Sequence, residues 1–436
     1  MKTRPMGCEE FDMITSEAFV SGFSEKSAMI IGMGYYDPTK FDKDAMAKAY
    51  KEVFRRNDAF RMKIVGWSIF RRHYLQDYFE PSIEYHKLSG GRNEFKNLCD
   101  TVKYPDIRLN DQELCRADIY ECSDGTGGII LWQHHVISDG YTVYNIVYQQ
   151  LCEFYTAYKN GEEPQPPKRL YSHNDYIDSH LKQLRKHGLR DFFSTLKGSW
   201  KYMFRYTVPI KNNLAFKPQV KHNISIVGDE YKAMQKICND FNCSISCLIA
   251  ALISIIVNQK TNKKIFKLEM MTNGRATYAL KHTAGDLTIS VPVFQNMKKG
   301  ITAAECITNT YMEFLKNTSR TPISEVLTYA LIDSLTCFST FHVPWNNRWI
   351  QLNYYKFWDN SNAPLENFLV HEELGYMTIY LEYIDTPNGL SIFFQHAEYV
   401  MDEQAGNDVF ALFKRLALEV SKDPNRSVEE IYSLVK

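Results

Sequence analysis

The chain carries no excess of charge of either sign. Lys+Arg and Asp+Glu each total 51, so the formal net charge is zero. That excludes the broad basic footprint by which nucleic-acid binders neutralise phosphates. Basic pairs such as Arg71-Arg72 and Lys263-Lys264 are short and read as solvated faces. There is also no long hydrophobic run. The strongest, Cys247 to Val257, falls well short of the roughly 20 residues needed to span a bilayer. The opening stretch, MKTRPMGCEEFDMITSEAF, contains no apolar core of a secretory signal. The 10 cysteines are scattered, and no second pair accompanies Cys243 and Cys247 to complete a zinc set. No metal site is expected, and reduced thiols in a cytoplasmic protein are.

What is present is ordinary globular material. Hydrophobic residues make up 44% and charged residues 23% of 436 residues. At about 100–200 residues per domain, two or three units are expected. Residues 27–35 read as a strand, and the Gly-Met-Gly within it is too little for a nucleotide loop. Phe41 to Asn57 reads as an amphipathic helix with Ala45, Ala49, Val53 and Phe54 on its apolar face. Phe60 to Val65 alternates like a strand. Residues 115–122 and Gly128 to His135 read as an antiparallel pair around Ser123-Asp124-Gly125. Tyr141 to Tyr158 reads as a helix.

The proline-rich stretch 161–167 marks a linker. Beyond it come a helix over roughly 173–204 and a second α/β half from near 220. That half includes helices over 229–241 and 244–257, the strand IFKLEMM, a hairpin about Pro387-Asn388-Gly389 and a helix over about 402–421. No internal repeat or low-complexity segment is visible. Strands and helices are interspersed, giving an α/β class of α+β mixed sheets.

The stretch QHHVISDG is the strongest candidate for chemistry. Two adjacent histidines, His134 and His135, end an apolar strand, and Asp139-Gly140 follows before the next helix. On a regular strand the two rings face opposite ways, which argues against joint metal binding. A histidine there suits a general base, because a neutral imidazole accepts a proton near neutral pH. Asp139 can orient His135 directly, or brace the loop by pairing with an arginine elsewhere. Gly140 permits a tight turn or a close backbone approach.

His134-His135-x-x-x-Asp139-Gly140 resembles the signature of the condensation-domain superfamily of acyltransferases. That superfamily includes nonribosomal peptide synthetase condensation domains and chloramphenicol acetyltransferase. Further segments resemble the family in order along the chain. Arg56 to Arg61 (RNDAFR) is similar to R-H-E-x-L-R, and Tyr171 to Tyr176 (YSHNDY) to Y-x-D-Y/F-A with one extra residue. Asn273-Gly274-Arg275 is similar to an N-R segment. Ala284-Gly285-Asp286-Leu287 with Val291-Pro292-Val293 is similar to I-G-x-F-V-N-T-L-P-L. Ser319 to Leu327 is similar to Q-D-Y-P-F-E-x-L. The chain departs from the pattern at Tyr141-Thr142, where Trp-Ser is usual. It also lacks the D-F-G-W-G of plant-type enzymes and the D-x-x-x-x-D of heterocyclization domains.

The resemblance implies two chloramphenicol-acetyltransferase-like subdomains in a V-shaped pseudo-dimer, residues 1–165 and 166–436, with a tunnel at their junction. It implies an acyltransferase with no permanently bound cofactor. The donor would be acyl-CoA or a phosphopantetheinyl acyl or peptidyl carrier protein, and the acceptor a small amine or alcohol. His135 would be the base, His134 mainly structural, and Asp139 would pair with Arg275. A backbone N–H near Gly140 would meet the oxyanion, while Ser138, Tyr141 and Gly285 would line the substrate. A monomer without a membrane span is expected. The alternative is a catalytically silent condensation-like domain that recruits partners.

Overall fold

The computed structural model describes residues 3–7, 10, 14, 30–67, 70–167, 169–203, 219–262, 264–319, 351–355, 363–370, 379–386, 388–397 and 402–436. It divides into two compact units. The first gathers Met1–Lys182, Asn273–Thr288 and Phe357–Glu373; the second gathers Gln183–Thr272, Ile289–Lys356 and Leu374–Lys436. The first unit's main segment thus runs to Lys182 rather than to 165, and two short stretches from the distal part of the chain also belong with it.

The first unit is built on a five-stranded sheet of β1 (Ile30–Asp37), β2 (Ile83–Leu88), β3 (Cys115–Cys122), β4 (Gly127–His134) and β5 (Glu366–Leu369). Their order is β5-β1-β4-β3-β2, antiparallel throughout except for the parallel β3–β2 pair. Every residue of β4 is buried, as expected of a central strand covered on both faces. The Gly-Met-Gly of β1 serves close approach. A Cβ at Gly34 would stand 2.5 Å from the Cys99 sulfur, and one at Gly32 would stand 2.7 Å from Val370. A smaller sheet pairs Arg4–Pro5 and Met62–Val65 with Arg72–Leu75.

The first long helix runs Lys43–Arg56, since Asp42 acts as N-cap and accepts from the N–H groups of Asp44 and Ala45. At its far end Arg61 donates to the carbonyls of Phe54 and Arg55, satisfying two terminal acceptors. Phe60 and Arg61 lie in a 3₁₀ turn, so the strand expected from Phe60 begins at Met62. The helix expected over Tyr141 to Tyr158 contains a π-helical stretch, Thr142–Val147, before regular α-helix Tyr148–Lys159.

The second unit is a six-stranded sheet ordered Ile289–Asn296, Ile265–Thr272, Gln351–Tyr355, Ile379–Thr386, Gly389–Ala397 and Gln219–Val227. The hairpin expected near residue 388 is there, with Thr386 paired to Gly389; Pro387 lies outside the described residues. Helices Gly228–Phe241, Ile245–Thr261, Ala303–Thr318, Glu403–Lys422 and Val428–Val435 supply the rest of a continuous apolar core. Their ends are marked in the sequence. Asn242 and Asn262 adopt left-handed C-caps, and Thr302/Glu305 and Ser427/Glu430 form capping boxes. Among the described residues, no single helix is long and apolar enough to cross a membrane.

Candidate functional site

Strand β4 ends at His134, one residue earlier than its apolar run suggests, and His135 to Ile137 form a 3₁₀ turn. Strand alternation therefore does not decide where His135 points. His134 is buried, and its Nδ1 accepts from the Val136 N–H at 3.1 Å, which leaves the ring proton on Nε2. Burial, with His135 and Arg71 nearby, pushes its pKa down to about 3, so it stays neutral. It braces the turn.

His135 is partly open, its side chain 30% exposed. Its Nδ1 lies 3.2 Å from Oδ2 of Asp286. The carboxylate favours the tautomer with the proton on Nδ1, which gives Nε2 the lone pair of a base. Asp286 is fully buried. Burial pushes its carboxyl up to about 6, against the opposing pull of His135 and with the help of the negative Asp139 and Glu10.

Asp139 does not orient His135. It is buried, and its carboxylate accepts five hydrogen bonds. Oδ1 takes the Thr142 N–H at 2.8 Å and Arg275 Nη2 at 3.1 Å; Oδ2 takes Arg275 Nη1 at 2.7 Å, the Leu287 N–H at 2.9 Å and the Thr288 hydroxyl at 3.0 Å. Burial alone would raise its pKa, but the Arg275 guanidinium and these donors hold it below the usual carboxylate range. Asp139 and Arg275 are thus brought together as a buried ion pair. Arg275 also donates to the Thr142 hydroxyl at 2.8 Å and the Gly285 carbonyl at 3.1 Å, and lies 4.5 Å from the centre of the Tyr141 ring.

The remaining expected residues fall differently. Gly140 opens the helical run without a left-handed backbone; positive φ is found instead at Gly285, at +141°, and at Gly274, at +60°. Gly285, expected to line substrate, has its N–H and carbonyl committed to the Thr142 hydroxyl. Ser138, also expected at the substrate, is fully buried, and its Oγ has no hydrogen-bond partner. Tyr141 is half-buried beside Arg275.

Behind this turn is a group that sequence reasoning missed. His173 is fully buried; its Nε2 meets Glu10, and its Nδ1 lies 3.3 Å from the Ala284 carbonyl. Glu10 also accepts from the Gly7 N–H at 2.6 Å. Burial works against charge on both groups, yet each raises the other's preference for it: His173 is shifted up and Glu10 down. Asp58 accepts from the Ser172 hydroxyl and the His173 N–H. Two of the quoted segments, Arg56 to Arg61 and Tyr171 to Tyr176, thereby meet. The segment Ser319 to Leu327 lies outside the described residues beyond Ser319.

Known proteins align with this architecture. The condensation domain of the monacolin K polyketide synthase MokA superposes with a TM-score of 0.76 at 12% identity, covering 98% of this chain and 99% of that one. A starter condensation domain of rhizomide synthetase RzmA, solved in complex with C8-CoA, gives 0.75 at 14%, covering 98% and 97%. The X-domain of teicoplanin biosynthesis, in complex with OxyB, gives 0.77 at 11%, covering 99% and 96%. These likenesses show a shared fold. In sequence, bacitracin synthase 3 of Bacillus licheniformis is 22% identical over 292 residues, 65% of this chain; the chain spans 4% of that protein's length. A family profile described as Condensation domain matches residues 24–435. The chain belongs to the condensation-domain family.

Proposed function

We propose that the protein is an acyltransferase. It moves an acyl or aminoacyl group from a phosphopantetheine thioester, on CoA or a carrier protein, to an amine or alcohol. The observation that carries this reading is the His135–Asp286 contact at 3.2 Å beside the buried Asp139–Arg275 pair. Nε2 of His135 takes the acceptor's proton as its nitrogen or oxygen bonds to the thioester carbon. Asp286 stabilises the imidazolium. As the C–S bond breaks, the proton passes to the departing thiolate, so no resident cofactor is needed. Gly140 opens a helical run, where backbone N–H groups lack intrahelical partners, and its N–H is the proposed oxyanion donor.

The complex of the rhizomide relative with C8-CoA supports a CoA donor. The teicoplanin X-domain, which shares the fold and binds OxyB, supports the second reading of a partner-recruiting domain. Thiol release by the purified protein separates the two. Acyl-CoAs and acyl-loaded carrier proteins are offered separately with pooled amines and alcohols. Release that disappears in His135→Ala supports transfer. Release that persists in the variant removes His135 from the mechanism. Absence of release across both donors favours recruitment.

A further inference from the structure

We propose a divalent-cation site on the first unit's sheet, formed by Glu84, His86 and Asp118. Glu84 and His86 alternate along β2 and so share a face, and the parallel register sets Asp118 of β3 opposite Glu84. One donor atom from each, the His86 nitrogen and a carboxylate oxygen from either side, lies within 4.8 Å of the others. His86 Nε2 stands 3.7 Å from Glu84 and 4.0 Å from Asp118 Oδ1. Two ligands of one tetrahedral zinc lie roughly 3.4 Å apart, so small side-chain rotations close the set.

The site is built rather than incidental. Asp118 is 3% exposed, and the Trp132 indole N–H donates to its Oδ2 at 2.6 Å. That bond fixes the carboxylate with Oδ1 turned to His86, as an outer-shell donor does for a metal ligand. Oδ1 of Asp118 and Nε2 of His86 are both buried atoms without a hydrogen-bond partner. The His86 ring is held by stacking on Tyr120, with centroids 4.8 Å apart. Two carboxylates facing each other across a strand pair repel unless a cation lies between them.

Arg116 meets that need in part, with Nη1 3.3 Å from Glu84 and Nη2 3.5 Å from Asp118. Its side chain is 33% exposed, and it must give way for the ion to bind. One imidazole with two carboxylates is a mixed N/O set suited to Zn²⁺ or Co²⁺, with water completing the coordination.

The test uses the full chain without a histidine tag, treated with chelator. Zn²⁺ is titrated by calorimetry, and Co²⁺ by its visible absorption. One equivalent is expected to bind. His86→Ala and Asp118→Asn should each weaken binding by about tenfold or more. Arg116→Ala, which removes the competing cation, should tighten it. Absence of stoichiometric binding overturns the proposal, as does binding that His86→Ala leaves unchanged. Circular dichroism checks that Asp118→Asn folds; if it does not, His86→Ala and Arg116→Ala carry the test in opposite directions.

Discussion

His135 is hydrogen-bonded to Asp286, at 3.2 Å, and not to the aspartate four residues along its own motif. The two carboxylates divide the work. Asp286 faces the histidine, while Asp139 is saturated by Arg275, Thr142, Leu287 and Thr288.

Removing the base should remove transfer and spare the fold. His135→Ala should lower kcat by about 10²–10⁴-fold. The variant should still fold, read by circular dichroism, because the ring is partly open. A parent-like rate in thiol release would overturn the assignment.

Asp139 and Arg275 should behave in the opposite manner. Asp139→Ala or Arg275→Ala leaves a buried charge unpaired, which costs about 3–5 kcal/mol. Denaturant unfolding should show that loss. The folded-state pKa of Asp139 is depressed, so its stabilisation is present at neutral pH and fades as pH falls through that value. An unchanged unfolding midpoint in Arg275→Ala would contradict the bracing role.

Asp286 should set an acid limb. Its carboxyl titrates at about 6, so transfer should fall as pH drops through that region and the negative partner of His135 is lost. Stability runs the other way. A raised carboxyl pKa contributes stability below the unfolded value that is lost as pH rises through the folded one. Asp286→Asn should therefore be slower than the parent, yet melt no lower at pH about 8. A pH–rate profile and a melting series test both halves.

The Glu10–His173 pair should stabilise over a window. Glu10 is shifted down, so its share is lost as pH falls through its folded value. His173 is shifted up, so its share is lost as pH rises through its own. Melting temperature against pH should decline on both sides, and Glu10→Gln should abolish the alkaline decline. Gly285→Ala tests the same region. Its Cβ would stand 2.5 Å from His173 Nδ1 at a φ of +141°, and the strain alone should cost about 1–3 kcal/mol.

Much of this was legible in the sequence where a local rule applied. Alternation and turn residues gave β3 and β4, and apolar spacing placed the helices that run Lys43–Arg56 and Ile245–Thr261. The motif histidines and the Asp139–Arg275 partnership could be named in advance, though the partnership only through resemblance. What failed did so where tertiary contacts decide. The one-residue shift of His135 is a local exception, set by the Ser138 N–H bonding back to the His135 carbonyl in a 3₁₀ turn that no apolar pattern announces. Asp286 was visible as a letter in a motif, but its role depends on the chain returning to His135 from 151 positions away. Glu10 and His173 are single residues 163 positions apart, and nothing periodic links them. Thr142 stood out only as a departure from Trp-Ser, and its hydroxyl holds both Arg275 and Gly285.

The stretch Asn273–Thr288 belongs to a unit whose main body ends at Lys182. During synthesis, the ribosome releases Asp139 long before Arg275 and Asp286. Until residue 288 has emerged, Asp139 and His135 lack the partners they have in the folded chain, Arg275 and Asp286. The site is thus a late product of translation, although its signature motif lies in the first third of the chain. A gene fragment ending at the proline-rich stretch would express the signature without the residues that complete it.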